Sequence, residues 1–344
     1  MIEKFTVSRD DNVYQAWPDV TINNDGCLVC VFTECAHHAD RSGSRLMTTV
    51  SRDGGKTWSE KRPLTEKSDS SFFWNNARIS LLNDGNLYIV CDKATRSENE
   101  NSKIYLFISK DGGETWSEAK ELPCFGIVPS KLTELKYGDY AGRRIIMAHS
   151  RDENDIYTVR SWYSDDRGKS WSGPVTVVSR KEYKLCEAAP IELKNGVLTV
   201  LLRENSSKGL DAFKTFSYDG GDSFNGLYTA PLPGCHRPVA DYVDDETVLI
   251  TYRFMQGGKG WLGHWTQNVF AAFMSDKDLS EKLRENQSSR IMPLDYDRSA
   301  VSDLGYTGFA KLKDGRVYVV NYIVDDAPKA HIRGYRFGKK DVIL

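Results

Sequence analysis

One short string occurs four times in this 344-residue chain and constrains its fold more than any other feature. It reads SRDGGKTW from Ser51, SKDGGETW from Ser109, SDDRGKSW from Ser164 and SYDGGDSF from Ser217. The central aspartates, Asp53, Asp111, Asp166 and Asp219, stand 58, 55 and 53 residues apart. That period is too long for a helical solenoid and suits a four-stranded blade with a decorated loop. Within each copy Gly supplies positive φ, the Asp carboxylate accepts backbone N–H bonds inside a tight turn, and the Trp or Phe ring packs beneath. These aspartates are read as structural pins rather than catalysts.

A second repeat counts the blades. A strand, a turn and a second apolar strand recur six times, opening at Trp17, Asn76, Pro129, Glu187, Arg237 and Tyr306. Six hairpins predict an all-β, six-bladed β-propeller of about 57 residues per blade, filling residues 1–344 as a single domain. Blade 5 is expected to keep only a worn box, SDKDLSEK from Ser275, and blade 6 none. The run KFTVS from Lys4 is expected to pair with the last blade and close the ring, removing two sheet edges.

Composition narrows the function classes. The net charge of −2 gives no electrostatic case for nucleic acid or a membrane surface. No apolar run approaches the roughly 18 residues of a membrane span, and MIEKFTVSRDDN does not read as a secretory signal, so a cytoplasmic location is the expectation. Seven scattered cysteines, an odd number without zinc spacing, suit reduced thiols. With no phosphate-cradling Gly loop and no EF-hand, no cofactor and no metal are expected. A dimer would be unsurprising, though nothing in the sequence requires one.

In a propeller the first strands of all blades converge at one end of a central channel, where function sits. The residues opening the hairpins are thus the candidates: Tyr14, Gln15 and Trp17; Trp74, Asn75 and Asn76; Ser130 and Lys131; Glu187; His236 and Arg237; and Tyr306. They are polar, aromatic and charged, a lining that offers ring faces and hydrogen bonds to a sugar. A glycine-rich segment, Met255 to Trp265, reads as a loop over this funnel.

The S-x-D-x-G-x-T-W boxes on six blades resemble the sialidase (neuraminidase) superfamily over essentially the whole chain. Three local matches sharpen the resemblance. The run from Cys186-Glu187 to Leu-Leu-Arg203 is similar to the segment that gives that family a glutamate and a carboxylate-binding arginine. Gly305-Tyr306-Thr-Gly resembles the hairpin that carries its tyrosine nucleophile, and Asp40 stands on the loop where the family places its acid/base aspartate. The resemblance implies an exo-acting hydrolase with Tyr306 as nucleophile, Glu187 as its base, Asp40 as acid/base, and Arg203 with Arg237 on a substrate carboxylate. A phenol suits an anomeric carbon bearing a carboxylate, because an anionic nucleophile would be repelled.

The chain also departs from the pattern. The family's first clamp arginine is missing in Tyr14-Gln15-Ala16-Trp17-Pro18, and Arg237 comes several residues earlier than the third. Arg45, Arg78 and Arg253 are candidates to compensate. Gln15, Trp17, Trp74, Asn76 and His236 complete the expected substrate-binding set, a glycan or small glycoside being the partner. Two other readings stand beside the hydrolase. One is a lyase on a uronate polymer, favoured by His37, His38 and His236, with a His or Tyr abstracting a proton and Gln15, Asn76 or an Arg neutralising the acid. The other is a propeller that binds glycans without catalysis.

Overall fold

The computed structural model describes residues 1–69, 71–95, 101–256 and 266–342, so residues 257–265 of the expected loop from Met255 to Trp265 lie outside the described residues. Six four-stranded antiparallel sheets form the ring of a six-bladed propeller. The innermost strands are Tyr14–Ile22, Phe73–Leu81, Thr133–Glu134, Leu185–Glu192, Cys235–Tyr242 and Leu304–Lys311. Blade 6 takes its outer strand, Glu3–Ser8, from the N-terminal run, paired antiparallel with His331–Phe337. Ring closure therefore joins the two ends of the chain within one sheet, as the sequence leads one to expect.

Each sheet is sandwiched between two others, so its apolar residues face both ways. The cores lie between adjacent blades: Val20 and Phe32 of blade 1 meet Val320 and Ile332 of blade 6, and Leu249 and Phe273 of blade 5 meet Phe309 and Val319. Burying one such side chain contributes about 1.5–3 kcal/mol, and a lone blade would forfeit it on both faces. None of the seven cysteines forms a disulfide.

The boxes are pins, as read. Asp53 accepts bonds from the Ser51 hydroxyl at 2.9 Å, the Thr57 amide at 2.9 Å and the Thr57 hydroxyl at 2.7 Å. Gly55, at φ 88°, lies so near the Tyr318 ring of blade 6 that a Cβ would stand 1.9 Å from it. Blade 5 departs from the expected worn box. SDKDLSEK lacks the glycines a tight turn needs, and the segment folds instead as a helix, Asp276–Ser280, with a Ser275/Asp278 capping box. In blade 6 that position has no covalent turn, because the partner strand comes from the other end of the chain.

A bulge shared by all blades sets the site. One residue per innermost segment has a left-handed backbone: Trp17 (φ 53°), Asn76 (45°), Val128 (53°), Glu187 (42°), Arg237 (54°) and Gly305 (112°). In five blades the pairing with the second strand slips there, as between Cys186 and Ala189. In blade 3 the same place precedes a shortened strand, with Ile127 bridging His149. A non-Gly residue in this region costs about 1–3 kcal/mol, so the packed ring must hold five of them in place.

Candidate active site

Glu187, Arg203 and Tyr306 meet at one mouth of the channel although they come from blades 4 and 6. The bulge turns Glu187 out of the alternation of its strand, Arg203 stands on the next strand opposite Cys186, and Tyr306 follows Gly305. The Tyr306 hydroxyl donates to Glu187 Oε1. Arg203 Nη1 lies 2.9 Å from both Glu187 oxygens and 2.9 Å from Tyr306 Oη, while Nη2 donates to Asn205 Oδ1 at 2.5 Å. The cluster is buried, with the Glu187 side chain 4% and that of Arg203 11% exposed.

Electrostatics divide the pair. Burial pushes the Glu187 carboxyl up, but the charges of Arg203 and Arg237 and the bond from Tyr306 outweigh it and hold the group far below the usual range. Burial, and then the Glu187 charge, raise the Tyr306 phenol, against the pull of Arg203 and Arg253. The resting state is thus a neutral phenol donating to a carboxylate. Arg253 places its guanidinium 4.7 Å from the Tyr306 ring centroid and donates from Nη2 to His236 Nδ1 at 3.2 Å. Gly305 makes room for it, since a Cβ there would sit 2.5 Å from Arg253 Cβ. Burial keeps His236 well below its ordinary pKa, and it lowers His149 to about 4, so both imidazoles are neutral.

Beneath lie two buried arginines. Arg78 donates to the Thr307 carbonyl at 2.7 Å, and Arg237 to the Pro129 carbonyl at 2.9 Å. Both line the inner end of a cavity of about 410 Å³ that opens past Lys131, Glu192 and Lys311, residues downstream of the bulges. This cavity therefore opens at the far mouth, and Tyr306 and Glu187 are not among its walls.

At the rim between blades 1 and 6, Asp303 gathers three side chains. Its carboxylate accepts from Tyr14 Oη at 2.6 Å and Tyr322 Oη at 3.1 Å, and both oxygens lie 3.0 Å from His38 Nδ1. The His38 ring packs edge-on against Trp17 at 5.4 Å. The Arg41 guanidinium lies 4.5 Å from the Trp17 ring centroid.

Several expected residues stand elsewhere than expected. Arg237 does not present its fork to the funnel: the left-handed backbone carries it across to the carbonyls of blade 3. Gln15 is buried on Glu34 at 3.0 Å, and Arg45 and Lys61 close around the same carboxylate. Of the three arginines named as candidates to compensate, Arg45 and Arg78 are engaged elsewhere and Arg253 lies over the Tyr306 ring. Trp74 packs with Phe72, Tyr105 and Phe107 in the core between blades 1 and 2. Asp40 is exposed, its Oδ1 accepting from the Ser42 amide at 3.1 Å and hydroxyl at 2.5 Å. Trp17 is buried in the core between blades 1 and 6, His236 is buried beside Arg253, and Asn76 Oδ1 is buried without a partner among the described residues. The signal for Arg253 was present in the chain, since LTVLLR ending at Arg203 and VLITYR ending at Arg253 are equivalent strands. No group of three or more His, Cys, Asp or Glu among the described residues could hold a metal ion.

Comparison with known proteins agrees with this architecture. The model of the BNR repeat-like domain matches residues 66–240, and that of the BNR/Asp-box repeat matches residues 49–60. A sialidase of Micromonospora viridifaciens is 25% identical over 60% of this chain and 35% of its own length. The chain spans between 8% and 50% of the length of the first curated relatives it matches. Among solved structures, a Dyadobacter fermentans protein of unknown function superposes with a TM-score of 0.79 at 20% identity, covering 97% of this chain and 98% of that one. The intramolecular trans-sialidase of Ruminococcus gnavus gives 0.73 at 13% identity, covering 96% of each. With four boxes, six blades and a family model spanning half its length, the chain belongs to the BNR repeat-like family and is a sialidase-like propeller.

Proposed function

We propose that the protein is an exo-acting, retaining glycoside hydrolase that removes a terminal acidic sugar, sialic acid being the first to try. The observation that carries this reading is the buried contact of Tyr306, Glu187 and Arg203. In the first half-reaction the Tyr306 oxygen attacks the anomeric carbon while its proton passes to Glu187, and the glycosidic oxygen leaves with a proton from an acid. In the second, water displaces the tyrosine and the protons return. Negative charge on the phenol oxygen develops beside Arg203 and under Arg253, where low dielectric makes the attraction count. Arg203 is spent largely on Glu187 and Tyr306, so the substrate carboxylate would fall to Arg253 and Arg41 rather than to a three-arginine clamp.

The test is release from a fluorogenic sialic acid glycoside beside a panel of other acidic and neutral glycosides. Tyr306→Phe is expected to abolish turnover and keep binding of the accepted sugar nearly intact; a fully active variant would sink the assignment. One observation favours a lyase as the second reading: His236 and His149 are held neutral by burial near Glu187 and Arg203, as a proton-abstracting base requires. Near-ultraviolet absorbance rising on uronate polymers would select it, and glycan binding without any turnover would select a non-catalytic propeller.

A further inference from the structure

We propose that His38, held by Asp303, is the group that protonates the leaving oxygen and later deprotonates the attacking water. The proposal rests on the hydrolase reading above and replaces Asp40 in that role.

The first ground is position. His38 stands at the funnel mouth on blade 1, and one ring separates it from the nucleophile: Tyr322 lies 6.5 Å from the His38 centroid and 6.4 Å from that of Tyr306. The His38 side chain is 35% exposed, open enough to meet a leaving group, whereas the Asp303 side chain behind it is 17% exposed.

The second ground is the hydrogen-bond pattern. Nδ1 faces both Asp303 oxygens, which leaves Nε2 as the nitrogen for substrate. A carboxylate behind an imidazole fixes its orientation and tautomer and stabilises the imidazolium. Burial works to raise Asp303, but the bonds from His38, Tyr14 and Tyr322 prevail and keep it ionised. Asp303 is itself anchored: its amide donates to Asp297 Oδ2 at 3.0 Å, and Asp297 also accepts the amides of Ser299 and Asp325. The dyad is thus rigid on its Asp303 side. Asp40, by contrast, turns its Oδ1 into its own loop.

The proton balance closes. As the bond from the anomeric carbon to the leaving oxygen breaks, Nε2–H of the imidazolium passes to that oxygen, while the Tyr306 proton goes to Glu187. In the second step neutral Nε2 takes a proton from water as its oxygen attacks the anomeric carbon. The bond to Tyr306 breaks, and Glu187 returns the phenol proton. Nδ1–H remains on Asp303 throughout, making Asp303 a positioning residue.

A general acid matters only when the leaving group is poor, which gives the test. kcat/KM is measured for wild type, His38→Ala, His38→Gln, Asp303→Asn and Asp40→Asn on two glycosides of the accepted sugar, one with an aryl and one with an alkyl leaving group. The His38 variants are expected to lose roughly 10²–10⁴-fold on the alkyl glycoside and less than about tenfold on the aryl one, with Asp303→Asn showing a smaller split of the same sign. An equal loss on both substrates would mark His38 as structural and overturn the proposal while the hydrolase reading stands. The same split in Asp40→Asn but not in His38→Ala would return the role to Asp40. Inactivity of the wild type on every glycoside would remove the hydrolase reading and this proposal with it.

Discussion

Arg203→Met is expected to destabilise the protein by about 3–5 kcal/mol at neutral pH, because it strands the Glu187 carboxylate without its cation. The magnitude follows from the geometry. Arg203 Nη1 is 2.9 Å from each Glu187 oxygen, and the carboxylate side chain is 4% exposed, so water cannot take over. What remains is the phenol of Tyr306 and the more distant charge of Arg237. In wild type Glu187 is ionised both folded and unfolded above about pH 5, so it adds no pH dependence there; its contribution is lost only in stronger acid, as pH falls through its depressed folded value. In the variant the sign reverses. Burial without Arg203 raises the folded-state carboxyl, which then takes up a proton, so the deficit shrinks as pH falls from about 8 to 5. Urea unfolding of both proteins at several pH values measures this. Arg203→Met combined with Glu187→Leu should recover much of the loss, since neither charge is left alone. A deficit below about 1 kcal/mol, or one that is flat with pH and unrelieved in the double variant, would refute the view of Glu187 as an anion held by Arg203.

Three further outcomes can be checked with the same instruments. Gly305→Ala combines a left-handed backbone with a Cβ 2.5 Å from Arg253, and should cost about 2–4 kcal/mol and most of the turnover; near-native melting would show that Arg253 can simply move aside. Asp111→Ala removes bonds from the Ser109 hydroxyl at 2.8 Å and the Thr115 amide at 3.0 Å, and should lower stability by about 1–2 kcal/mol with kcat unchanged; a loss of kcat would give the box a catalytic part. Burial lifts the Asp92 carboxyl to about 7, so wild type should lose up to about 4 kcal/mol as pH rises from about 4, where the unfolded chain ionises, to about 7, and Asp92→Asn should remove the decline; parallel pH profiles for the two proteins would count against a buried, titrating Asp92.

The sequence exposed what repeats and hid what bends. The boxes and hairpins gave blade count, period and ring closure, because each residue type in them answers a local turn requirement. Tyr306, Glu187 and Arg203 were legible through family resemblance, and they do converge. Arg237 is different: the bulge at φ 54° sends its side chain to blade 3, and no pattern of apolar residues marks such a bulge. Trp74 was misplaced by the same slip, one residue ahead of Asn75 and Asn76, where alternation no longer tells inside from outside. His38 and Asp303 meet only because blade 1 closes against blade 6. Their separation of 265 residues is invisible to any local reading.

The bulge ring explains how six similar blades build one asymmetric site. Each blade sets two positions side by side at the bulge, the left-handed residue and its neighbour on the second strand, and the blades differ in which types occupy them. Blades 2 to 5 hold Asn76 near Asp92, Val128 near His149, Glu187 near Arg203 and Arg237 near Arg253, three of the four pairs carrying formal charge. Blades 1 and 6 hold Trp17 and Gly305, and around them gather Tyr14, His38, Tyr306 and Tyr322. One wall is therefore aromatic and the other ionic. Under the hydrolase reading proposed above, a sugar ring carrying a carboxylate would turn its apolar face toward the rings and its charge toward the arginines. Tyr306 belongs to the aromatic wall by strand and to the ionic wall by its hydrogen bonds. That position at the seam is where a nucleophile must be if it is to meet the anomeric carbon while its proton leaves on the opposite side.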